Sequence, residues 1–207
     1  MADFKSNYQI PLRLDAPPHQ RMAFQAIMRG RNLKQAEIDR FRDQGVYPLD
    51  LFKPWSTQVD RVTFNDEYFE FADDADEVGE QVFTMGVISE MGLIDVVAWH
   101  PLSGRMATWL GLGFGLNEVQ IGDHVDNASV GLAVFRSPLG WLRAGCDGIV
   151  IVRKTFTHIV LAGVPLLLAE DEVHRIELRK MFPSGGPRIL VCGQEDPGRA
   201  VELEVQT

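Results

Sequence analysis

The feature that most constrains this fold lies near the end of the chain. "DEVHRIELRKMF", Asp171 to Phe182, is the clearest helix in the sequence, and short apolar runs, "VPLLLA" and "RILVCG", flank it on both sides. Acids open the helix and Arg179 and Lys180 close it, matching the helix dipole. Val173, Ile176, Leu178 and Met181 supply the apolar side expected to face a core. Pro183, Ser184, Gly185 and Gly186 end it. The alternation continues upstream. "SVGLAVF" reads as a strand, and Ser137-Pro138 is a good cap and first turn for the short helix "PLGWLRA", which Gly145 can stop. "DGIVIVRK" is a β-branched run suited to a buried strand. "FTHIVLAG" reads as another short helix, capped by Thr155, with His158 partly buried. Strands alternating with helices predict a small parallel sheet, a Rossmann-like βαβαβ segment over about 129–207.

The middle of the chain changes period. "RVTFNDEYFEFADD" alternates apolar and polar residues about a turn at Asn65-Asp66, which predicts a hairpin. "QVFTMGVIS" and "GLIDVVAWH" follow as strands, and Leu102-Ser103-Gly104-Arg105 reads as a turn into "MATWLGLGFG". An antiparallel meander over about 60–122 is the expectation. Ahead of it, "HQRMAFQAIM" and "LKQAEIDRFRDQ" form a helix–turn–helix outline about Gly30-Arg31-Asn32. The fold class is therefore mixed α/β (α+β). An N-terminal helical hairpin (residues 1–48) precedes a mixed domain (residues 49–207) that holds the meander and the βα segment.

Charge and composition narrow the function classes. The net charge is −9, but residues 1–45 carry eight Lys/Arg against five acids, so the body is the acidic part. Such a body repels nucleic acid and anionic membranes, and nucleic-acid contact would have to use residues 1–45. The second helix mixes Lys34, Arg40 and Arg42 with Glu37, Asp39 and Asp43, which is a poor DNA-reading surface. The longest uncharged stretch, Thr155 to Ala169, is shorter than a membrane span and is broken by Gly163 and Pro165. The N-terminus lacks the pattern of a secretory signal, and Cys146 and Cys192 have neither metal spacing nor a disulfide framework. The expectation is a reduced, cytoplasmic protein with no membrane contact.

Four stretches invite a ligand. "WLGLGFGLNEVQIG", Trp109 to Gly122, alternates glycine with bulky residues. A dinucleotide fingerprint starting at Gly111 needs a small residue where Leu116 stands, and no Gly-Lys dipeptide provides a P-loop. The alternation reads instead as a close-packed strand with glycines on one face, the hairpin partner of "GLIDVVAWH", where a bulky residue at Gly113 would damage folding. "ADDADEVGE", Ala72 to Glu80, matches a calcium loop at Asp74, Asp76 and Gly79 but puts Val78 and Met85 where oxygen ligands belong, so it reads as a solvated connection. "GDHVDN" places Asp123, His124 and Asp126 in a loop.

The fourth stretch is "LLLAEDEVHR". An apolar strand delivers Glu170, Asp171 and Glu172 to its carboxyl end, and His174 follows one helical turn later. Carboxylates so placed can hold Mg²⁺ or Mn²⁺ for phosphoryl chemistry, whereas acids at a helix start are also favoured by the dipole alone. Glu170 and Glu172 resemble the acidic Asp-x-Asp strand end of toprim domains, over this stretch alone. The resemblance implies phosphoester chemistry with a further glutamate after an earlier strand, where "GIVIVRK" supplies Arg153 and Lys154.

Two functions from different classes fit these residues. A non-catalytic binding or accessory protein would engage another macromolecule, a protein first of all, through the aromatic-rich sheet and the basic hairpin. Trp55, Trp99, Trp109 and Trp141 are its candidate contacts, with most of them expected in the core. A Mg- or Mn-dependent enzyme acting on phosphoesters would use Glu170, Asp171, Glu172 and His174 as metal ligands. No organic cofactor is predicted.

Overall fold

The computed structural model describes residues 16–53, 57–72, 79–125, 127, 130–183 and 185–193. Trp55, Asp126 and the 73–78 part of the acidic connection lie outside the described residues. The chain is mixed α/β with six α-helices and two sheets, one of which closes into a small barrel.

Helix α1 (Pro18–Arg29) leads through the short strand β1 (Arg31–Asn32) into α2 (Gln35–Asp43) and a 3₁₀ turn at Pro48–Phe52. Then come β2 (Gln58–Asn65), β3 (Tyr68–Phe71), β4 (Glu80–Ser89), β5 (Gly92–Trp99) and β6 (Met106–Thr108). The predicted hairpin forms as expected, with Phe64 opposite Phe69 and Asp66 at φ 52° in the turn. β2 also pairs with β4, so the order β2-β3-β6-β5-β4 closes on itself. Closure leaves these five strands without a free edge, which a simple meander would have exposed. It also brings β3 and β6 together in parallel.

β5 is apolar on both faces, and an irregularity in its pairing with β4 near Ile94 shifts which residues share a face. Leu93, Val96 and Ala98 join Ala23, Ala26 and Ile27 of α1 in one cluster. Ile94, Val97 and Trp99 join a second cluster that reaches Phe41 of α2. The two N-terminal helices thus serve different cores.

The second sheet begins with β7 (Gly115–Leu116), and α3 (Val119–His124) follows. Next are β8 (Leu132–Phe135), α4 (Pro138–Arg143) and β9 (Ile149–Ile151). After a 3₁₀ turn at Lys154–Phe156 come α5 (Thr157–Val160), β10 (Leu166–Ala169), α6 (Glu172–Lys180) and β11 (Arg188–Val191). β8, β9, β10 and β11 run parallel in the order β9-β8-β10-β11, and β7 adds an antiparallel edge against β9. Trp141 and Leu142 of α4 pack into the core shared with the barrel. Leu161, Leu178 and Phe182 cover the other face.

Several expectations need correction. The strand from Met106 ends at Thr108, and Trp109–Phe114 is loop rather than a continuation of the hairpin with β5. Thr155 does not cap α5; the hydroxyl of Thr157 donates to the Lys154 carbonyl at 2.8 Å instead. His158 is exposed. Asp123 and His124 are part of α3, not of a loop. The largest change concerns α6. Val173 and Ile176 face solvent at 61% and 47% exposure, whereas His174 and Leu178, four residues apart, make the buried stripe. The tryptophans agree with expectation instead: Trp99 and Trp141 are core residues and so are not contacts.

Candidate functional site at the strand ends of the second sheet

In an open parallel sheet the crevice at the carboxyl ends of the strands, where strand order reverses, is the common ligand position. Here that reversal falls between β8 and β10. β10 delivers Glu170 and Asp171 to it, and β8 delivers Arg136. The strand that neighbours β10 is thus β8 and not β9, so Arg136, rather than Arg153 or Lys154, stands opposite the acids.

Arg136 spans the crevice. Its two terminal nitrogens donate to both oxygens of Asp171 at 2.6 and 2.7 Å, and Nε donates to Glu177 at 3.0 Å. Its backbone N–H donates to Oε2 of Glu170 at 2.9 Å. Bidentate pairing of this kind matches the planar guanidinium fork to the carboxylate. The contact with Asp171 holds the guanidinium above its ordinary range. In return, Arg136 and the N–H of His174 hold the Asp171 carboxyl well below the usual carboxylate range. Asp171 is also the N-cap of α6, accepting that N–H at 2.8 Å.

The other predicted ligands fall into two groups. Glu172 turns away along α6 and takes Arg175 in a bidentate pair at 2.8 and 2.5 Å. His174 stays at the crevice, 3% exposed, and its Nδ1 accepts the Glu170 N–H at 3.2 Å. Burial first, and then the nearby Arg136, lowers its affinity for a proton. A ring whose Nδ1 accepts carries its hydrogen on Nε2 when neutral. The structure thus brings Glu170, Asp171 and His174 together and separates Glu172 from them. Among the described residues no group of three or more His, Cys, Asp or Glu side chains is arranged to hold a metal.

A cavity of about 290 Å³ opens beside this bridge, with Arg136, Lys154, His174 and Glu177 at its polar edge. Ile151, Leu178 and Met181 supply apolar wall. Sequence reasoning missed Arg136, Glu177 and Lys154 here. The one available signal was the position of Arg136, directly before the Ser137 cap at a strand end.

The glycine stretch does bind carboxylates, but the protein's own. Asp95 on β5 is completely buried. Its Oδ1 accepts the N–H groups of Val96 and Leu110 at 2.7 and 2.8 Å. Its Oδ2 accepts those of Leu112 and Gly113 at 2.8 and 2.9 Å. Further along the loop, Oε1 of Glu118 accepts the N–H groups of Phe114 and Gly115. Burial raises the Glu118 carboxyl above its ordinary 4.5, against the pull of these two donors. Close approach explains the glycines at both ends of the loop. Gly111 has φ +70° and lies under the Tyr68 ring, and a Cβ on Gly115 would sit 2.0 Å from the Val150 carbonyl oxygen.

Comparisons with protein-family models, with curated proteins and with solved structures find no match. No helix among the described residues is long and apolar enough to cross a membrane.

Proposed function

We propose that this is a non-catalytic binding or accessory protein of the cytoplasm that engages another protein. In this reading residues 129–207 form a Rossmann-like segment whose reversal point has become a structural joint, and α1 and α2 act as an N-terminal helical hairpin. The observation that carries it is the bidentate Arg136–Asp171 pair. A guanidinium already stands where a divalent cation would need to meet Glu170 and Asp171, and a cation there would face repulsion from it. Metal-dependent phosphoester chemistry with a toprim-like acidic end is thereby disfavoured.

The surface that best suits a partner follows α2. Lys34 and Arg40 are exposed on it, while Arg31 and Arg42 are already paired with Glu37 and Asp39. Tyr47 and Leu49, 63% and 55% exposed, lie just beyond its end. Arginine and tyrosine around an apolar contact are typical of interface centres. A partner with an acidic face and an apolar recess for Tyr47 fits this chemistry.

Two measurements test the reading together. A pull-down with the full chain and with the double variant Arg40→Glu/Tyr47→Ala should capture a protein with the first and lose it with the second, at equal Tm. Calorimetric titration of Mn²⁺ into the parent and into Glu170→Gln/Asp171→Asn should give the same trace. An identical catch from both chains, or Mn²⁺ binding lost only in the carboxylate variant, overturns the reading.

A further inference from the structure

We propose that the cavity beside the Arg136 bridge is a binding site for a small oxyanion-bearing molecule with an apolar body. The cavity and the α2 surface share no residue, so a ligand in the cavity and a partner on α2 are tested separately.

Three facts carry it. First, the cavity lies over the carboxyl ends of β8 and β9, against α6, and its volume of about 290 Å³ is near the lower bound of ligand pockets. That size suits a small metabolite and is too small for a dinucleotide. Second, two donors on its wall are unspent. The Lys154 ammonium makes no ion pair among the described residues, although Arg136 beside it makes two. His174 uses Nδ1 for the Glu170 N–H and makes no hydrogen bond through Nε2 to any of the described residues, while the residue as a whole is 3% exposed. That Nε2–H is not sealed in the core but opens toward the cavity, where a ligand oxygen can accept from it. Third, the one carboxylate on the wall, Glu177, is already held by Arg136 through Nε at 3.0 Å. The open charge is therefore the ammonium. Lys154 and His174 Nε2–H offer an oxyanion one charge-assisted and one neutral hydrogen bond, and Ile151, Leu178 and Met181 receive the apolar remainder.

The probes are phenyl phosphate and benzoate, with benzyl alcohol as the neutral counterpart. Each is titrated into the ¹⁵N-labelled full chain by two-dimensional NMR, following the backbone amides of residues 151–156 and 174–181 and the ring nitrogens of His174. Saturable shifts with one or both anions, together with movement of His174 Nε2, are expected, and benzyl alcohol should bind at least tenfold more weakly. Whichever anion binds more tightly distinguishes a phosphate ligand from a carboxylate one. Lys154→Ala, at an exposed position, should keep the parent Tm and weaken the anion at least tenfold. The proposal is overturned by three outcomes: no saturable shift below about 10 mM for either anion, equal binding of benzyl alcohol, or equal affinity in Lys154→Ala. His174→Gln gives a second reading if it folds, with a smaller loss expected because Gln retains a donor.

Discussion

Asp95→Asn is the sharpest test of how the two sheets are joined. The substitution changes no volume and removes no atom from the core. It replaces one oxygen by an NH₂ group, and the amide can settle either way round. With its oxygen at the Oδ1 position, it still accepts from Val96 and Leu110 but turns donors toward the N–H groups of Leu112 and Gly113. Flipped, it satisfies the second pair and abandons the first. Either orientation leaves two N–H groups without an acceptor, one of them buried and the other partly buried. Each such group costs about 1–3 kcal/mol, and the midpoint for two is about 4 kcal/mol. For a chain of this size that corresponds to a fall in Tm of about 10 °C, since 1 kcal/mol moves Tm by roughly 2–4 °C. The assay is urea unfolding followed by Trp fluorescence and far-UV circular dichroism. A loss below about 1 kcal/mol would refute the reasoning, because it would mean that water or a shifted loop supplies the missing acceptors at little cost. Amide exchange at Leu112 and Gly113 should accelerate more than in the barrel strands, which separates loosening of this loop from general destabilisation.

Three other outcomes follow from the same geometry. Gly115→Ala should cost at least about 3 kcal/mol, because its Cβ meets a backbone carbonyl, and Gly113→Ala about 1–2 kcal/mol, because the Val87 methyls at 3.0 Å can give a little; urea midpoints rank the two. The folded-state pKa of Glu118 lies above its unfolded value, so the native state holds that proton more tightly. The stability it contributes is then complete below about pH 4.5 and is lost as pH rises through the raised value. Glu118→Gln, whose Oε1 can accept both N–H groups, should flatten this part of a Tm-against-pH profile without loss of stability at neutral pH. On α6, Leu178→Ala should cost about 2–5 kcal/mol, while Val173→Ser and Ile176→Ser should stay within about 0.5 kcal/mol. The reverse ranking in thermal melts would restore the helix orientation expected from its apolar residues.

Element type was legible wherever local chemistry decides it. The Ser137 cap and the start of α6 at Asp171 follow from side chains that bond their own neighbourhood, and the Asn65-Asp66 turn from the readiness of Asp66 to take positive φ. What escaped depends on contacts distant in sequence. The rotation of α6 is one case: four apolar residues offered a face, but a histidine takes a buried position because Nδ1 can bond the Glu170 N–H. Barrel closure is another, since β2 pairing with both β3 and β4 leaves no local trace. Strand order mattered most for the site. Looking for a second charged group after "GIVIV" assumed that β9 lies beside β10, whereas β8 does, and the residue that faces the acids is Arg136.

The glycine stretch and the acidic cluster misled in the same physical way. Each has the local chemistry of a ligand site: free N–H groups in one, carboxylates at a strand end in the other. Each is completed from within the chain, by Asp95 and Glu118 in the first and by Arg136 in the second. Asp95 precedes the loop it holds by 15 to 18 residues, and Arg136 lies 35 residues before Asp171. A motif read along the chain cannot register a partner at such a distance, so unsatisfied valence in sequence is weak ground for a ligand. Valence left over after folding is stronger ground, because the protein has already had the chance to satisfy it. By that criterion neither opening candidate qualifies, while Lys154 and the Nε2 of His174 do.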